Sequence, residues 1–499
     1  MGFSPRGFGA LGRFVSSYGS NGETVAPGGP GFGRELPFGP SGASRRGGKF
    51  VDGPREGGSF EGVGMKIAVL GGGITGLVTT HLLVEEGHDV TCLEAADRCG
   101  GLCRSEVVDG FVADRAGGHI MFSKDEEVLE FVKRLVDHVG HHTTNRKTFI
   151  NLKRRYVQYP FENGLADLEP GDTFACLRDY IEMQFARRQG AAEPDDFHSW
   201  CLWRFGKGIC DLFMHPYNEK IWNVPLNELG VEWVSGRVPD APMEDILRSA
   251  LGIRTEGYAH QAIFHYPNEG GFEAMIHGVL RRIPEGVVRT GTPCETLSRD
   301  GDGWEVNGEP YDRVVSTIPL QELFKVLPGV PEGVSESFRS LDYTSLMTVF
   351  LALDKADAPD HSWVYFPDPA DGPQNRITWL SNYAPGNAPE GCSSVMAEVT
   401  YYRTPPGSDA DVTTQVIEGL SGAGVIDADQ VRWSRVWHNE YAYILYRKGL
   451  EENLEVVRGY CDDVDIDVIG RFGNYSYFNS DMCIRAAMDL VKESYSARR

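Results

Sequence analysis

Three glycines and one carboxylate near the start of the chain have the spacing of a dinucleotide site. Gly71, Gly73 and Gly76 satisfy G-x-G-x-x-G, directly after a short apolar run and at the start of a stretch with helical spacing. Glycine is needed there because the turn is tight, a pyrophosphate must approach bare backbone, and the helix must pack closely on the strand. The helix N-terminus then faces the anion. Glu94 ends the second predicted strand, where its carboxylate can accept hydrogen bonds from both ribose hydroxyls.

The residues after Glu94 narrow the choice of dinucleotide. Arg98, Gly100 and Gly101 complete the pattern E-x-x-x-R-x-G-G. This pattern resembles the extended fingerprint of FAD-binding proteins of the glutathione-reductase and amine-oxidase type, in which the arginine and the paired glycines run beside the pyrophosphate and the flavin. The resemblance implies FAD rather than NAD as the resident cofactor. Residues 312–319 look like the later strand that returns to the same domain in that superfamily, so we expect a discontinuous FAD domain.

A glycine pair and a histidine follow the strand-like segment 110–114. Gly117 and Gly118 would let the backbone lie against a flat isoalloxazine ring, since neither carries a side chain. His119 would then touch the ring and bias its charge. A purely structural role for His119 fits the sequence equally well, and both interpretations stay open here.

The elements that must position these residues fall into three regions. Residues 66–70, 74–86 and 89–93 predict a strand, a helix and a strand, which is a βαβ unit. Helical periodicity dominates between about 125 and 262, with little strand signal. Later, β-branched and aromatic runs separated by Pro and Gly predict strands at 313–318, 348–353, 363–366, 376–380 and 395–401.

These regions predict an α/β fold: a Rossmann-like FAD-binding domain of the glutathione-reductase type, with an inserted helical domain and an antiparallel-sheet substrate domain. The expected boundaries are a disordered Gly-rich extension 1–64, FAD-binding segments 65–125, 266–320 and 461–499, a mainly helical substrate or lid domain 126–265, and the sheet domain 321–460. The extension holds 19 of the 60 glycines and six prolines, so it cannot bury enough apolar area to offset chain entropy. A functional tail and a start codon assigned too early, with Met65 the true start, both fit this composition.

Composition excludes several classes of protein. Lys and Arg total 48 against 71 Asp and Glu, a net charge of −23, which argues against a broad surface for nucleic acid or anionic lipid but leaves room for a local basic pocket. Ten cysteines include no C-x-x-C pair, so neither a zinc site nor a disulfide framework is indicated, and a reducing cytoplasm is the expected compartment. No stretch approaches the roughly 20 apolar residues of a membrane span.

Motifs spread from Met65 to about Leu490 resemble those of the flavin-dependent UDP-galactopyranose mutases. Besides the FAD fingerprint and residues 117–123, the matching segments are 159–163, 218–222 with 224–225, 233 with 236–237, 375–376 with 381–385, and 470–477. In that family, reduced FAD is thought to attack the anomeric carbon of a UDP-sugar through N5, expel UDP and open the ring as an iminium adduct, after which another hydroxyl closes it as furanose. Such chemistry requires a diphosphate site, cationic charge where negative charge develops, and a sealed cavity.

The resemblance also implies roles for individual residues. Arg376 and Arg471 would clamp the diphosphate, which suits guanidinium because its fork holds phosphate oxygens in bidentate fashion. Arg237 would be a third basic residue of the cavity. Other implied contacts are the hydroxyls of Tyr477 and Tyr365 on phosphate oxygens, Tyr443 (with Tyr441 as an alternative in the register) as a third, Tyr159 and Trp222 flanking the uracil or sugar, and Asn218 bonding the nucleotide. Each residue alone also fits an ion pair or packing; their joint order carries the prediction.

Three positions depart from that pattern or have an ordinary structural interpretation. Glu162 stands where some members carry Gln, which would add negative charge near the nucleotide. Ser123 is followed by Lys124 where some relatives have histidine. We expect Asp481 to cap the last helix, whose first backbone amides would approach the flavin.

Two other function classes stay open. An oxidase of the protoporphyrinogen or amine-oxidase kind shares the FAD fingerprint but would need an apolar or aromatic cage near the ring instead of two converging guanidinium groups. A flavin-binding scaffold without chemistry is the third class. The expected substrate is a nucleotide-sugar, and galactose, arabinose or a modified hexose fits one diphosphate clamp. NAD(P)H, bound transiently, is compatible with the sequence as the reductant.

Overall fold

The computed structural model describes residues 64–234, 242–253 and 263–496. The strands are β1 Lys66–Leu70, β2 Asp89–Leu93, β3 Ser105–Val108, β4 Phe111–Asp114, β5 His141–Asn145, β6 Thr148–Leu152, β7 Arg155–Gln158, β8 Ile263–Pro267, β9 Val288–Arg289, β10 Leu297–Asp300, β11 Gly303–Val306, β12 Glu309–Tyr311, β13 Arg313–Ser316, β14 Asp342–Leu353, β15 Trp363–Tyr365, β16 Arg376–Thr378, β17 Ser393–Tyr401, β18 Val431–Leu445 and β19 Ile466–Val468.

The α-helices alternate with these strands or follow them in groups. They are α1 Ile74–Glu85, α2 Glu126–Leu135, α3 Pro170–Arg188, α4 Phe197–Phe205, α5 Lys207–Ile209, α6 His215–Trp222, α7 Met243–Ala250, α8 Ala274–Leu280, α9 Leu320–Val326, α10 Glu332–Arg339, α11 Asp409–Gly422, α12 Leu450–Asp463 and α13 Ser480–Leu490. Across the described ranges, none of them combines the length and the apolar character that a membrane crossing requires.

A five-stranded parallel sheet carries the predicted βαβ unit. Its strand order is β19-β13-β1-β2-β9. Strands β1 and β2 have the predicted bounds, and α1 ends one residue earlier than predicted. The apolar run of β1 is fully buried from Ile67 to Val69, as expected for a parallel strand covered on both faces. Strand β13 pairs with β1, so the segment predicted to return to this sheet does so.

A seven-stranded sheet in the order β18-β14-β17-β16-β15-β6-β7 forms the second layer of structure. All of its pairs are antiparallel except β15 with β6. Strands β14 to β17 lie where β-branched and aromatic runs predicted them. The long edge strand β18 was not predicted, because its exposed positions carry charged and polar side chains and its pairing with β14 is set by tertiary contact.

The prediction of helix between about 125 and 262 is wrong for residues 141–158. These residues form β5, β6 and β7, and the last two extend the seven-stranded sheet. Strand β5 is polar, with the sequence His-His-Thr-Thr-Asn, and β6 and β7 are only five and four residues long, too short for a clear alternation. Their pairing with distant β8 and β15 supplies what local sequence does not. The predicted helices do appear on either side, from α2 to α7.

Two predictions fall outside the described residues. The Gly-rich extension lies there apart from residue 64, and so do Gly236 and Arg237. The predicted domain boundaries stay predictions, since the strands fix which segments pair but not where one domain ends.

The closest approach between α1 and the preceding turn occurs at Gly76. A Cβ atom added there would stand 1.9 Å from the carbonyl oxygen of Gly71 and 2.8 Å from Oγ1 of Thr317. We therefore expect Gly76→Ala to lower the free energy of unfolding by about 3 kcal/mol, the upper range for overpacking against a backbone that cannot move aside.

Thermal and urea denaturation measure this effect. Gly459→Ala is the matched control, because Gly459 lies inside α12 with no atom within 4 Å of the added Cβ; alanine should leave stability unchanged or raise it slightly. Equal stability of the two variants would contradict the packing argument.

Candidate active site

The glycine loop between β1 and α1 is held by the carboxylate at the end of β2. The amide of Gly72 donates to Oε2 of Glu94 at 2.6 Å, and the amide of Ala96 donates to Oε1 at 2.9 Å. Gly71 has φ +101°, a conformation that favours glycine. Glu94 thus lies where the sequence predicts it, and its oxygens already orient the loop. Its contact with a ribose stays a prediction.

The space around the glycines fits a pyrophosphate. A Cβ atom on Gly73 would meet no atom within 4 Å, whereas one on Gly72 would stand 2.8 Å from Sγ of Cys99. The open side of Gly73 therefore lies at the first turn of α1, where backbone amides favour an anion. Gly100 donates its amide to the Gly72 carbonyl at 2.8 Å, and Gly73 and Gly100 form an isolated parallel bridge. The two motifs that predict FAD are thus joined in space, and the residues present fit that cofactor.

Arg98 and Gly101 flank the same loop. The Arg98 guanidinium lies 3.4 Å from Oε1 of the buried Glu273 and donates to the Ser105 carbonyl at 3.1 Å. Gly101 packs close to Gly73, since an added Cβ would lie 3.4 Å from the Gly73 Cα. Arg98 therefore fixes the chain beneath the predicted cofactor in this structure, and a direct contact with the pyrophosphate stays a prediction.

The Gly117-Gly118-His119 loop packs on the seven-stranded sheet. A Cβ atom on Gly117 would stand 2.8 Å from the Glu398 carboxyl group, and one on Gly118 would stand 2.6 Å from the Thr378 side chain. The His119 ring stacks on Phe272 at 5.0 Å between centroids. Glycine is thus required at both positions because the side chains of the sheet leave no room for a Cβ atom, with or without a bound cofactor.

His119 is electrically neutral at neutral pH. Burial, together with the positive charges of Arg376 and Arg471, lowers the pKa of its imidazole to about 4. The predicted bias on a flavin ring would therefore come from imidazole polarity and not from a positive charge. Arg376 lies close to this loop, because it pairs with Glu398 and a Cβ atom on Gly117 would stand 2.8 Å from that carboxyl group.

Arg376 and Glu398 form a buried, bidentate ion pair. They are register partners on β16 and β17. Nε of Arg376 donates to Oε1 of Glu398 and Nη2 donates to Oε2, each at 2.8 Å. The Glu398 side chain is 1 % exposed and that of Arg376 is 23 % exposed. The two bonds use two of the five N–H groups of the guanidinium, which leaves three further donors.

Arg471 is held by backbone oxygens. Its Nε and Nη2 donate to the Ala442 carbonyl at 3.2 and 2.9 Å, and its Nη1 donates to the Phe478 carbonyl at 2.8 Å. Within the described ranges no carboxylate forms an ion pair with it. Carbonyls orient a guanidinium without neutralising it, so the charge of Arg471 has no ion-pair partner among the described residues.

Tyr443 joins the two arginines. The Arg471 Cζ lies 5.3 Å from the Tyr443 ring centroid and 4.8 Å from that of Tyr477. Burial raises the pKa of Tyr443, the charge of Glu398 raises it further, and Arg376 and Arg471 oppose the rise. The phenol thus stays protonated and can donate a hydrogen bond. Tyr441, the alternative left open by the sequence, donates to Glu322 instead and packs on Tyr343 and Phe472.

A second group of aromatic rings continues from Arg376. Tyr365 is the register partner of Arg376 on β15. Its ring lies 4.9 Å from that of Tyr159 and 5.1 Å from that of Tyr217. Burial also raises the pKa of Tyr217. The structure thus brings together five of the predicted residues, namely Arg376, Arg471, Tyr159, Tyr365 and Tyr443, and places Tyr477 beside them.

Asn218 and Trp222 lie at the edge of this group. Trp222 is 6.3 Å from Tyr443 between ring centroids, and its Nε1 donates to Oδ1 of Asn218 at 3.1 Å. Nδ2 of Asn218 donates to the Met214 carbonyl at 2.7 Å. The Asn218 amide therefore has partners at both ends, and its predicted bond to a nucleotide stays a prediction.

The expected capping role of Asp481 is wrong. Asn479 is the N-cap residue of α13, without a capping side-chain hydrogen bond, and Asp481 lies in the first turn. Asp481 accepts a hydrogen bond from Oγ of Ser123 at 2.9 Å, which ties α13 to the segment after His119. Its place beside a flavin stays a prediction.

Two residues of the cluster were missed. Glu398 is the one acidic residue in the apolar strand β17, and a buried carboxylate in such a strand requires a cationic partner; this signal could have been used. Tyr217 directly precedes the matched Asn218, but one aromatic residue on a helix resembles ordinary packing. Register and tertiary contact were needed to place both beside Arg376.

Comparison with known proteins gives a family match over most of the chain. The model of the family "Flavin containing amine oxidoreductase" matches residues 74–453. Among solved structures, reduced UDP-galactopyranose mutase is similar with a TM-score of 0.78 and 27 % identity, over 86 % of this chain and 96 % of that one.

Curated relatives match over shorter stretches. UDP-galactopyranose mutase of Mycoplasma pneumoniae is 33 % identical over 34 % of this chain and 43 % of its own length. Protoporphyrinogen oxidase 2 of Arabidopsis thaliana is 34 % identical over 26 % of this chain and 24 % of its own length. The chain thus spans less than half the length of each of these two relatives.

The open space at Gly73 gives a test of the cofactor site. We expect Gly73→Ala to leave the unfolding free energy within about 0.5 kcal/mol of the wild type, as for a surface substitution without strain, because its backbone has φ −76° and the added Cβ meets no atom. The methyl group would occupy the space of a pyrophosphate, so FAD affinity should fall at least about tenfold.

FAD titration of the apoprotein, followed by flavin fluorescence, measures that affinity. Gly171→Ala is the control, since Gly171 also has open space around its Cβ and lies on α3, apart from the glycine loop. Unchanged FAD affinity in Gly73→Ala would place the pyrophosphate elsewhere.

The buried carboxyl group of Glu162 should make the free energy of unfolding depend on pH. Its carboxyl group is 6 % exposed, and burial raises its pKa to about 7, although Arg204 opposes the rise. The folded state therefore favours the protonated form, and ionisation destabilises the fold progressively from pH 4.5 up to about pH 7. Glu162→Gln removes this cost, so it should stabilise the protein above pH 7 by about 2 to 3 kcal/mol, with no gain below pH 4.5.

Urea denaturation of wild type and Glu162→Gln at pH 4.5 and pH 8 measures the difference. A gain that is equal at both pH values would show that Glu162 ionises normally in the folded protein.

Proposed function

Because the chain belongs to the flavin containing amine oxidoreductase family, we propose that it is a flavoenzyme that interconverts the pyranose and furanose forms of a UDP-sugar. The observation that carries the proposal is the placement of the two arginines: Arg376 pairs with Glu398, over which the His119 loop closes at Gly117, and Arg471 packs on the Tyr443 ring. Two guanidinium groups beside a flavin site suit a diphosphate and would be a costly environment for an apolar or amine substrate.

The residues that would hold FAD are those of the two joined glycine motifs. The pyrophosphate would lie on Gly73 at the start of α1, with Glu94 and Gly100 fixing the loop and the 117–119 segment beside the ring. When bound in its reduced form, FAD would supply the nucleophile for the anomeric carbon. The protein must therefore bind the nucleotide, stabilise its departure and keep water out.

Arg471 would stabilise the departing UDP most directly. Its charge has no carboxylate partner among the described residues, and three hydrogen bonds to backbone carbonyls fix its orientation. A preorganised cation needs no rearrangement as negative charge develops on the leaving diphosphate. Arg376 carries a compensating carboxylate, so its contribution is to direct N–H donors rather than to add net charge.

The tyrosines supply neutral hydrogen-bond donors around the phosphates. Tyr443 and Tyr217 have raised pKa values because they are buried, so both phenols keep their protons at neutral pH. Tyr365 lies next to Tyr217, Tyr159 and Trp363, and we call these four rings the aromatic wall. A wall of this kind can enclose an open-chain sugar and exclude water while the ring re-forms.

The activity assay separates this proposal from an oxidase. Dithionite-reduced, FAD-loaded protein is incubated under anaerobic conditions with UDP-galactopyranose or UDP-galactofuranose, and the products are resolved by chromatography. We expect interconversion in both directions without net flavin oxidation. Absence of conversion, together with rapid oxygen consumption on a porphyrinogen or an amine, would support an oxidase instead.

Substitution of the two arginines should have different effects on activity and stability. We expect Arg471→Ala to cost about 3 kcal/mol of transition-state stabilisation, the usual loss for one preorganised donor, and to weaken UDP binding. Arg376→Ala also leaves Glu398 buried without its partner, so a loss of stability of about 3 to 5 kcal/mol should accompany any loss of activity.

The double variant Arg376→Met with Glu398→Gln removes this complication by deleting both charges. It should fold better than Arg376→Ala and still lose activity. Anaerobic kcat/KM and thermal denaturation are measured on each variant, and Arg447→Ala, whose arginine pairs with Glu228 and Asp342, controls for loss of an arginine elsewhere. Wild-type kcat/KM in both Arg471→Ala and the double variant would contradict the clamp.

A further inference from the structure

Arg146, which follows β5, packs on two aromatic rings near the clamp arginine Arg376, those of Tyr159 and Trp363. Its Cζ lies 4.8 Å from the ring centroid of Trp363 and 5.5 Å from that of Tyr159. Its Nε donates to Oγ1 of Thr148 at 3.0 Å. A guanidinium placed over aromatic faces at these distances is attracted to the electron-rich ring faces. Arg146 thus contacts two rings of the wall at once.

Trp363 transmits this contact to a second tyrosine. Its Nε1 donates to the hydroxyl oxygen of Tyr365 at 3.0 Å. Because that bond uses a lone pair of the oxygen, the phenolic proton of Tyr365 is left to donate to another acceptor. The backbone supports the same arrangement: Thr148 is the parallel register partner of Trp363, and its carbonyl accepts the amide of Tyr159 at 3.2 Å.

We infer that Arg146 is a positioning residue for the nucleoside part of the ligand. It holds the Tyr159 ring against Trp363 and Tyr365, so that the ring is already fixed when a planar base packs on it, and the ordering cost of binding is reduced. This inference rests on the proposed function, since it takes the ligand to be a nucleoside diphosphate. It assigns base recognition and phosphate recognition to different arginines.

The test compares a ligand with a base and one without. Calorimetric titrations of FAD-loaded protein with UDP and with inorganic pyrophosphate are made on wild type, Arg146→Ala and Arg146→Lys. We expect Arg146→Ala to raise the Kd for UDP about tenfold and the Kd for pyrophosphate less than about threefold, since pyrophosphate cannot pack on Tyr159. Arg146→Lys, with charge but no planar face, should fall between wild type and Arg146→Ala.

Two further variants guard against a general loss of structure. Lys147→Ala changes the neighbouring exposed lysine, which pairs with Asp360, and should bind both ligands as wild type does. Thr148→Val removes the acceptor for Nε but keeps the guanidinium, and should weaken UDP binding about threefold. Thermal denaturation and FAD content are recorded for every variant, and if Arg146→Ala does not fold, Arg146→Lys and Thr148→Val decide the outcome.

The outcomes separate the inference from the proposed function. If Arg146→Ala binds UDP as tightly as wild type, or loses UDP and pyrophosphate affinity by the same factor, Arg146 does not position the base and the inference is overturned while the clamp stands. If the wild-type protein binds pyrophosphate but not UDP, or neither ligand, the proposed function is overturned and the inference with it.

Discussion

The buried pair of Arg376 and Glu398 is the constraint on which the rest of the site depends. A carboxylate at 1 % exposure is costly unless it is paired and fully hydrogen-bonded. Cross-strand register on β16 and β17 puts the guanidinium directly opposite, and the loop with Gly117 closes over the carboxylate with no room for a side chain. The pair therefore fixes the orientation of Arg376 and also fixes how closely the His119 loop packs on the sheet.

The same pair explains how an acidic protein can hold an anionic ligand. With a net charge of −23, attraction of a nucleotide must be local. Glu398 cancels the charge of Arg376, whereas Arg471 has no ion-pair partner among the described residues, and carbonyl oxygens orient its charge. Burial keeps His119 neutral, so it adds no positive charge beside the two arginines.

Local sequence predicted the elements whose structure depends on neighbouring residues alone. The glycine loop, β1, β2 and α1 follow from turn chemistry and periodicity, and Glu94 follows from its position at a strand end. Strands β5, β6 and β18 were not predicted, because their pairing is with the distant strands β8, β15 and β14. Strand β7 has only four residues and pairs with β6. Glu398 was missed although a lone carboxylate in an apolar strand signals a cationic partner, and Tyr217 was missed because only tertiary contact with Tyr365 brings this helix residue to the site. The cap expected at Asp481 is wrong because Asn479 is the N-cap residue of that helix.

The central claim is that both guanidinium groups bind one diphosphate beside the flavin. A crystal structure of the reduced, FAD-loaded protein with UDP tests it most directly. We expect diphosphate oxygens about 3 Å from nitrogens of both Arg376 and Arg471, with Arg376 still paired to Glu398. A UDP molecule bound away from Arg471, or a diphosphate that contacts neither arginine, would contradict the account.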